Sequence, residues 1–131
     1  AHGEISLNKA EQIYFGQPII DAYLMEEDVN YMGIVAHNSV DDYISKIADE
    51  KKLERLEGLL FEEKTTLKCG NITHTNLNWF KIIHPEKKDE PEVEDIKNKI
   101  NIFKQSASGT ARRYVDNTLS MFEKIENNLL K

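Results

Sequence analysis

The chain has 131 residues, of which 40% are hydrophobic, and this is enough for one domain with a buried core. Its formal charge of −6 argues against general nucleic-acid binding, because neutralising phosphates requires clustered Lys and Arg side chains. No apolar run approaches the roughly 20 residues that span a bilayer, which argues against a membrane protein. Cys69 is the only cysteine, which excludes an internal disulfide and predicts a reducing, cytoplasmic environment.

Two short strands and a helix are predicted at the start of the chain. Ile5 and Leu7 alternate with polar residues, which is typical of a half-exposed strand. Residues 12–15 (QIYF) form a second strand that ends at Gly16, and Pro18 then fits the first turn of a helix. The helix carries one apolar face, which is formed by Ile19, Ile20, Tyr23 and Leu24.

The middle of the chain predicts a buried strand followed by a long helix. Residues 31–37 (YMGIVAH) are a continuous apolar run of strand length. Asn38 or Ser39 is predicted to cap the following helix, and Gly58 to end it. His37 lies at the end of the strand, where ligands often bind in α/β proteins, although a loop histidine without a ligand is the simpler interpretation.

The second half of the chain predicts a hairpin and two helices. Residues 61–68 and 73–83 are rich in β-forming side chains and flank the turn CGN at 69–71. A polar loop with two prolines follows at 84–95. The segment SASGT at 106–110 separates the two final helices. The last helix has an apolar stripe formed by Tyr114, Val115, Thr118, Leu119, Phe122, Ile125 and Leu129.

The predicted element order is β-β-α-β-α-β-β-α-α, which indicates a single domain with an α+β fold, an α/β sandwich with helices on one face. The strand at 31–37 requires neighbours on both sides, and only about five strands are available for its sheet. The predicted sheet is therefore incomplete.

Three stretches of the sequence resemble one known family. Residues 3–37 (GEISLNKAEQIYFGQPIIDAYLMEEDVNYMGIVAH) resemble the second half of class III nucleotidyl cyclase-like catalytic domains. The matching positions are Gly3, Gly16, Pro18, Ile19, Ala22, Met25 and Glu26. Residues 65–79 (TTLKCGNITHTNLNW) and 112–125 (RRYVDNTLSMFEKI) resemble the hairpin and the C-terminal helix of small stand-alone bacterial members, a group that includes pyrimidine cyclases of antiphage defence. The resemblance implies a partial, ferredoxin-like mixed sheet with helices packed on it, and a chain that is the C-terminal part of a domain whose N-terminal strands are missing.

The resemblance also implies an activity and its limits. A full-length form would convert a nucleoside triphosphate to a 3′,5′-cyclic nucleotide and pyrophosphate, as a homodimer with active sites at the subunit interface and with Mg²⁺ or Mn²⁺. The family's two metal-binding aspartates precede the part that resembles this chain, so we expect a metal only when the N-terminal half is present. The family's phosphate-stabilising Asn and Arg fall on Ile20 and Leu24, which are apolar, so we expect this chain alone to be inactive and to contribute no catalytic or metal-binding residue.

Four polar residues are candidates for binding the nucleotide. Gln12 is the polar residue nearest to the family's base-selecting position. Asp21 either faces the dimer cleft or lies on the solvent side of its helix. Arg112 and Arg113 open the last helix, and helix N-termini bind anions such as phosphate.

The alternative hypothesis is a catalytically degenerate module that binds a nucleotide or a protein without turnover. An incomplete sheet leaves an apolar edge that must pair with another strand or be covered. The partner would then be a second copy of the chain or the missing N-terminal segment.

Overall fold

The computed structural model describes residues 1–83 and 90–129 and has an α+β fold, as predicted. The N-terminal hairpin consists of β1 (Ser6–Asn8) and β2 (Ile13–Phe15), which pair antiparallel and confirm the two predicted strands. Helix α1 (Gln17–Asp28) follows directly, with Pro18 in its first turn as predicted. We refer to residues 1–28, which contain these three elements, as the N-terminal unit.

The predicted buried strand at 31–37 is not formed. Residues 29–36, which we call the crossing segment, are irregular, and their backbone pairs with the second hairpin only at isolated points near their two ends. Near one end the Asn30 amide donates to the Thr66 carbonyl at 3.2 Å, and near the other the Ala36 amide donates to the Thr75 carbonyl at 2.9 Å. Consequently, the described residues form two separate two-stranded antiparallel sheets, and the predicted single mixed sheet is wrong.

The second hairpin consists of β3 (Leu60–Leu67) and β4 (Gly70–Leu77) and confirms the predicted hairpin. Its two-residue turn lies at 68–69, so the predicted turn at 69–71 is wrong, because Gly70 and Asn71 pair with Leu67 and Thr66. The predicted continuation of the second strand to residue 83 is wrong. Asn78 ends the strand because its Oδ1 accepts a hydrogen bond of 3.1 Å from the Lys81 amide. The chain then forms the short helix α4 (Trp79–Ile83).

The long helix predicted between the crossing segment and Gly58 is two helices, α2 (Asn38–Ile44) and α3 (Glu50–Glu57). Gly58 is the residue at which α3 ends, as predicted. The break between α2 and α3 has a local cause. The Asp49 side chain accepts hydrogen bonds from the Lys51 and Lys52 amides and so caps the start of α3.

Helices α5 (Glu90–Ser106) and α6 (Gly109–Leu129) end the chain as an antiparallel pair, which confirms the two predicted helices and the break between them. The predicted polar loop at 84–95 is helical from Glu90, and its first six residues lie outside the described ranges. The core lies where the second hairpin, α4 and α6 meet the crossing segment. Its buried side chains are Tyr31, Phe80, Met121, Phe122 and Ile125. In the described ranges, no helix is long and apolar enough to cross a membrane.

Candidate functional site

The N-terminal unit exposes its apolar side chains. No residue of β1, β2 or α1 is buried, and the predicted apolar face of α1 is uncovered, from 37% exposure at Ile19 to 58% at Tyr23. The apolar side chains of the hairpin are equally exposed, with Phe15 exposed by 61%. The large exposed apolar side chains of this unit are Ile5, Leu7, Ile13, Tyr14, Phe15, Ile19, Ile20, Tyr23 and Leu24. The exposed residues of α1 share one helical face, and apolar faces of this kind often mark interaction sites in folded proteins.

Gly16 fixes the hairpin against the start of α1. Its backbone has a φ of +152°, and a Cβ at this position would lie 2.9 Å from the Glu4 carbonyl oxygen and 3.2 Å from the Cα of Ile5. Only glycine permits this approach, so the start of α1 lies directly against the residues that precede β1.

Two grooves run along α1. The first, of about 520 Å³, separates α1 from the crossing segment, and Met25, Met32 and Tyr114 contribute to its walls. The second, of about 530 Å³, separates α1 from the start of the chain, with Ile5 and Ile19 among its lining residues. Both grooves are lined by Ala1, Ala22 and Glu26. The two grooves therefore adjoin, and Glu26 lines both of them.

The N-terminal unit carries nearly all of the net charge. It has six acidic side chains against Lys9, a formal side-chain charge of −5, while the whole chain carries −6. Several acids elsewhere form ion pairs, among them Asp116 with Lys104 at 2.7 Å and Glu126 with Lys97 at 2.6 Å. Within the part of the chain that the structure describes, no acid of the N-terminal unit forms an ion pair. Its acidic side chains are Glu4, Glu11, Asp21, Glu26, Glu27 and Asp28.

The two candidate residues in the N-terminal unit lie apart from the grooves. Gln12 has a left-handed backbone, with a φ of 55°, in the turn between β1 and β2, and its side chain is exposed. Asp21 is half-buried and its Oδ1 accepts a hydrogen bond of 2.7 Å from Gln17 Nε2, one turn earlier in α1. Ile20 and Leu24, the positions of the family's Asn and Arg, are exposed by 53% and 54%.

Arg112 joins the two C-terminal helices. Its Nη1 donates to the Lys104 carbonyl at 2.8 Å, and its Nε lies 3.6 Å from Oδ2 of Asp116. The hydrogen bond from Lys104, and the nearby charge of Arg112, lower the pKa of the Asp116 carboxyl. Arg113 is exposed. Among the described residues, no hydrogen bond or ion pair brings Arg112 or Arg113 together with Gln12 or Asp21.

His37 caps α2, which corrects the predicted cap at Asn38 or Ser39. Its Nδ1 accepts a hydrogen bond of 3.2 Å from the Ser39 amide, and the ring lines the first groove. Sequence analysis did not identify this groove or the position of Glu26 within it. One signal was present, since Glu26, Glu27 and Asp28 lie at the C-terminal end of α1, where the helix dipole disfavours acids.

The described ranges contain no cluster of three His, Cys, Asp or Glu side chains that could hold a metal ion. No protein-family model, curated protein or solved structure matches this chain.

Proposed function

We propose that this chain is a protein-binding module, and that a second polypeptide covers the exposed apolar face of its N-terminal unit. The observation that carries the proposal is the exposure of the α1 face, where Ile20, Tyr23 and Leu24 are each more than half exposed. Burying apolar surface contributes about 25 cal/mol per Å², so a partner that covers these side chains gains substantial free energy.

The small size of the N-terminal hairpin supports the same function. Strands β1 and β2 have three residues each, and both outer edges keep backbone groups that can pair with another strand. A two-stranded hairpin is marginally stable unless a third strand or a helix adds to it. A second polypeptide would supply such an element, and packing on the face that carries Tyr14 would also cover Leu7, which is paired with it on β1.

The resemblance to nucleotidyl cyclase-like domains is compatible with this proposal in its catalytically degenerate form. In an active member of that family, the side chains that correspond to Ile20 and Leu24 of this chain would hydrogen-bond the reacting phosphate. Ile20 and Leu24 have no hydrogen-bonding group, but they are well suited to an apolar interface. Conversion of a nucleoside triphosphate by a longer form of the protein stays a separate prediction, which a turnover assay tests.

Photocrosslinking tests the proposed function. The photoreactive residue benzoylphenylalanine replaces Leu24 in one variant and Ile72 in a control, because Ile72 is also apolar and 45% exposed but lies on β4. In cells that make the protein naturally, we expect irradiation of the Leu24 variant to give one discrete adduct with a polypeptide that mass spectrometry identifies. The Ile72 variant should not give it.

A second substitution shows whether the adduct depends on the apolar face. Adding Ile20→Asp to the Leu24 variant places a charge beside the crosslinker and should abolish the adduct, because an unpaired buried carboxylate is costly. Equal adducts at positions 24 and 72, or an adduct that survives Ile20→Asp, would contradict the proposed function.

A further inference from the structure

The partner must supply a cation as well as apolar side chains. We infer that the polypeptide bound by the N-terminal unit is an amphipathic segment with a Lys or Arg within its apolar face, and that this cation pairs with Glu26. The inference rests on the proposed function and specifies the chemistry of the partner.

The position of Glu26 is the first reason. Glu26 lines both adjoining grooves, so an apolar segment that fills both contacts this acidic residue. Glu26 is exposed in the free chain and forms no ion pair with any described residue. Covering an ionised carboxylate without a partner is strongly unfavourable, whereas a Lys or Arg in the covering segment satisfies it.

The charge of the whole unit is the second reason. Glu27 and Asp28 follow Glu26 at the end of α1, where the helix dipole adds further negative potential. Their attraction would increase the association rate of a basic segment and slow that of an acidic one. A positive charge on the bound segment is therefore favoured both by Glu26 in the grooves and by the acidic residues around them.

The same charge disfavours a second copy as the occupant. A symmetric homodimer places the same patch of each subunit against itself. Such a contact through the grooves would bring together two N-terminal units, each with a formal side-chain charge of −5, and two Glu26 carboxylates. An anionic lipid surface is disfavoured for the same reason.

Two synthetic peptides test this inference. Both are fluorescein-labelled helices of about 18 residues with the same Leu-rich apolar face, and the centre of that face has Lys in one and Glu in the other. Fluorescence anisotropy gives the Kd of each peptide for the full chain and for its Glu26→Lys and Glu26→Gln variants. Glu54→Lys is the charge-matched control, because Glu54 is exposed on α3 and lines neither groove.

We expect the unsubstituted chain to bind the Lys peptide at least about tenfold more tightly than the Glu peptide. Glu26→Lys should reverse this preference, Glu26→Gln should remove most of it, and Glu54→Lys should leave it unchanged. Circular dichroism checks that each variant keeps its helix content, and Glu26→Gln preserves the size of the side chain in case the Lys variant fails to fold.

Three outcomes overturn the inference: equal binding of the two peptides, no binding of either, or a Leu24 photoadduct with a second copy of this chain. The first two leave the proposed function intact if Leu24 still forms a discrete adduct with another polypeptide. The absence of any Leu24 adduct contradicts the proposed function itself, so the two failures are distinguishable.

Discussion

The hydroxyl of Tyr31 donates a hydrogen bond of 2.6 Å to Oδ1 of Asn76, although the two residues are 45 positions apart in the sequence. Both are only 2% exposed, and Nδ2 of Asn76 continues the chain of hydrogen bonds to Oγ1 of Thr65 at 2.7 Å. This buried chain joins the crossing segment to both strands of the second hairpin. It fixes the wall of the first groove, because Tyr31 lines that groove.

Replacing Tyr31 with Phe tests the energetic contribution of this bond. Tyr31→Phe leaves Oδ1 of Asn76 buried without its donor, which we expect to lower the free energy of unfolding by about 1–3 kcal/mol. Tyr14→Phe is the matched control, since Tyr14 is 58% exposed, and its effect should stay within about 0.5 kcal/mol. Urea unfolding measures both variants, and equal stabilities for the two would contradict the prediction.

The same residue predicts a loss of stability in alkali. Burial, and to a smaller extent the nearby Tyr114, raise the pKa of Tyr31 above its ordinary value of 10.0. Stability from a raised pKa is complete below the unfolded-state value and is lost as the pH rises through the folded-state value. The stability difference between the unsubstituted chain and Tyr31→Phe should therefore begin to shrink as the pH rises above the unfolded-state value of 10.0 and keep shrinking at higher pH. A stability difference that stays constant as the pH rises above 10.0 would contradict this prediction.

Gly33 is required by the position of the Tyr31 ring. A Cβ on residue 33 would lie 2.2 Å from Cε2 of Tyr31, and this ring is buried and held by its hydrogen bond to Asn76. Gly33→Ala should therefore lower the free energy of unfolding by about 1–3 kcal/mol, which is typical of overpacking. Gly58→Ala is the control, because the nearest atoms to a Cβ at this position would be 3.4 Å away. This variant should unfold at nearly the same urea concentration as the unsubstituted chain. A Gly33→Ala chain as stable as this control would show that the ring relaxes freely.

The C-terminal helices and the second hairpin were predictable because their signals are local. The apolar stripe of α6 repeats with the helical period, and Thr118, Phe122 and Ile125 are buried as that period predicts. A local signal also existed against the predicted extension of the second strand to residue 83, since Asn78 is a strong N-cap residue placed directly before the segment that forms α4.

The crossing segment was not predictable in this way because distant side chains satisfy its backbone. The Met32 amide donates to Oγ1 of Thr118 at 2.9 Å, and the Asn30 carbonyl accepts from Nδ2 of Asn117 at 2.9 Å. These partners are 86 and 87 positions away. An apolar run such as 31–37 can be buried as a strand or as an irregular segment, and only these remote hydrogen bonds decide between the two. The grooves depend on the same arrangement, so the surface around Glu26 could not be predicted either.

The turnover assay addresses the cyclase resemblance. We expect no cyclic nucleotide when this chain is incubated with Mn²⁺ and ATP, GTP, CTP or UTP, because Ile20 and Leu24 offer nothing to stabilise the reacting phosphate. Mass spectrometry of the products measures this, with an active nucleotidyl cyclase as the positive control. Cyclic product that increases in proportion to the concentration of the purified chain would contradict the prediction and support catalysis by these residues.

The pairing of Lys104 with Asp116 predicts how the α5–α6 contact responds to acid. Lys104 Nζ lies 2.7 Å from Asp116 Oδ1, and this hydrogen bond is the main cause of the lowered pKa of Asp116, with Arg112 as a weaker one. Stability from a lowered pKa is present above the unfolded-state value of 3.8 and is lost as the pH falls through the folded-state value.

Nuclear magnetic resonance titration of the Asp116 carboxyl carbon checks this relationship directly. In the unsubstituted chain its midpoint should lie below 3.8, and Lys104→Gln should move the midpoint upwards. Lys99→Gln is the control, because Lys99 pairs with Asp95 instead and should leave the midpoint of Asp116 unchanged. The stability difference between the unsubstituted chain and Lys104→Gln should also shrink as the solution becomes more acidic. If Lys104→Gln left the midpoint in place, Arg112 rather than Lys104 would be the group that holds the carboxylate in its ionised form.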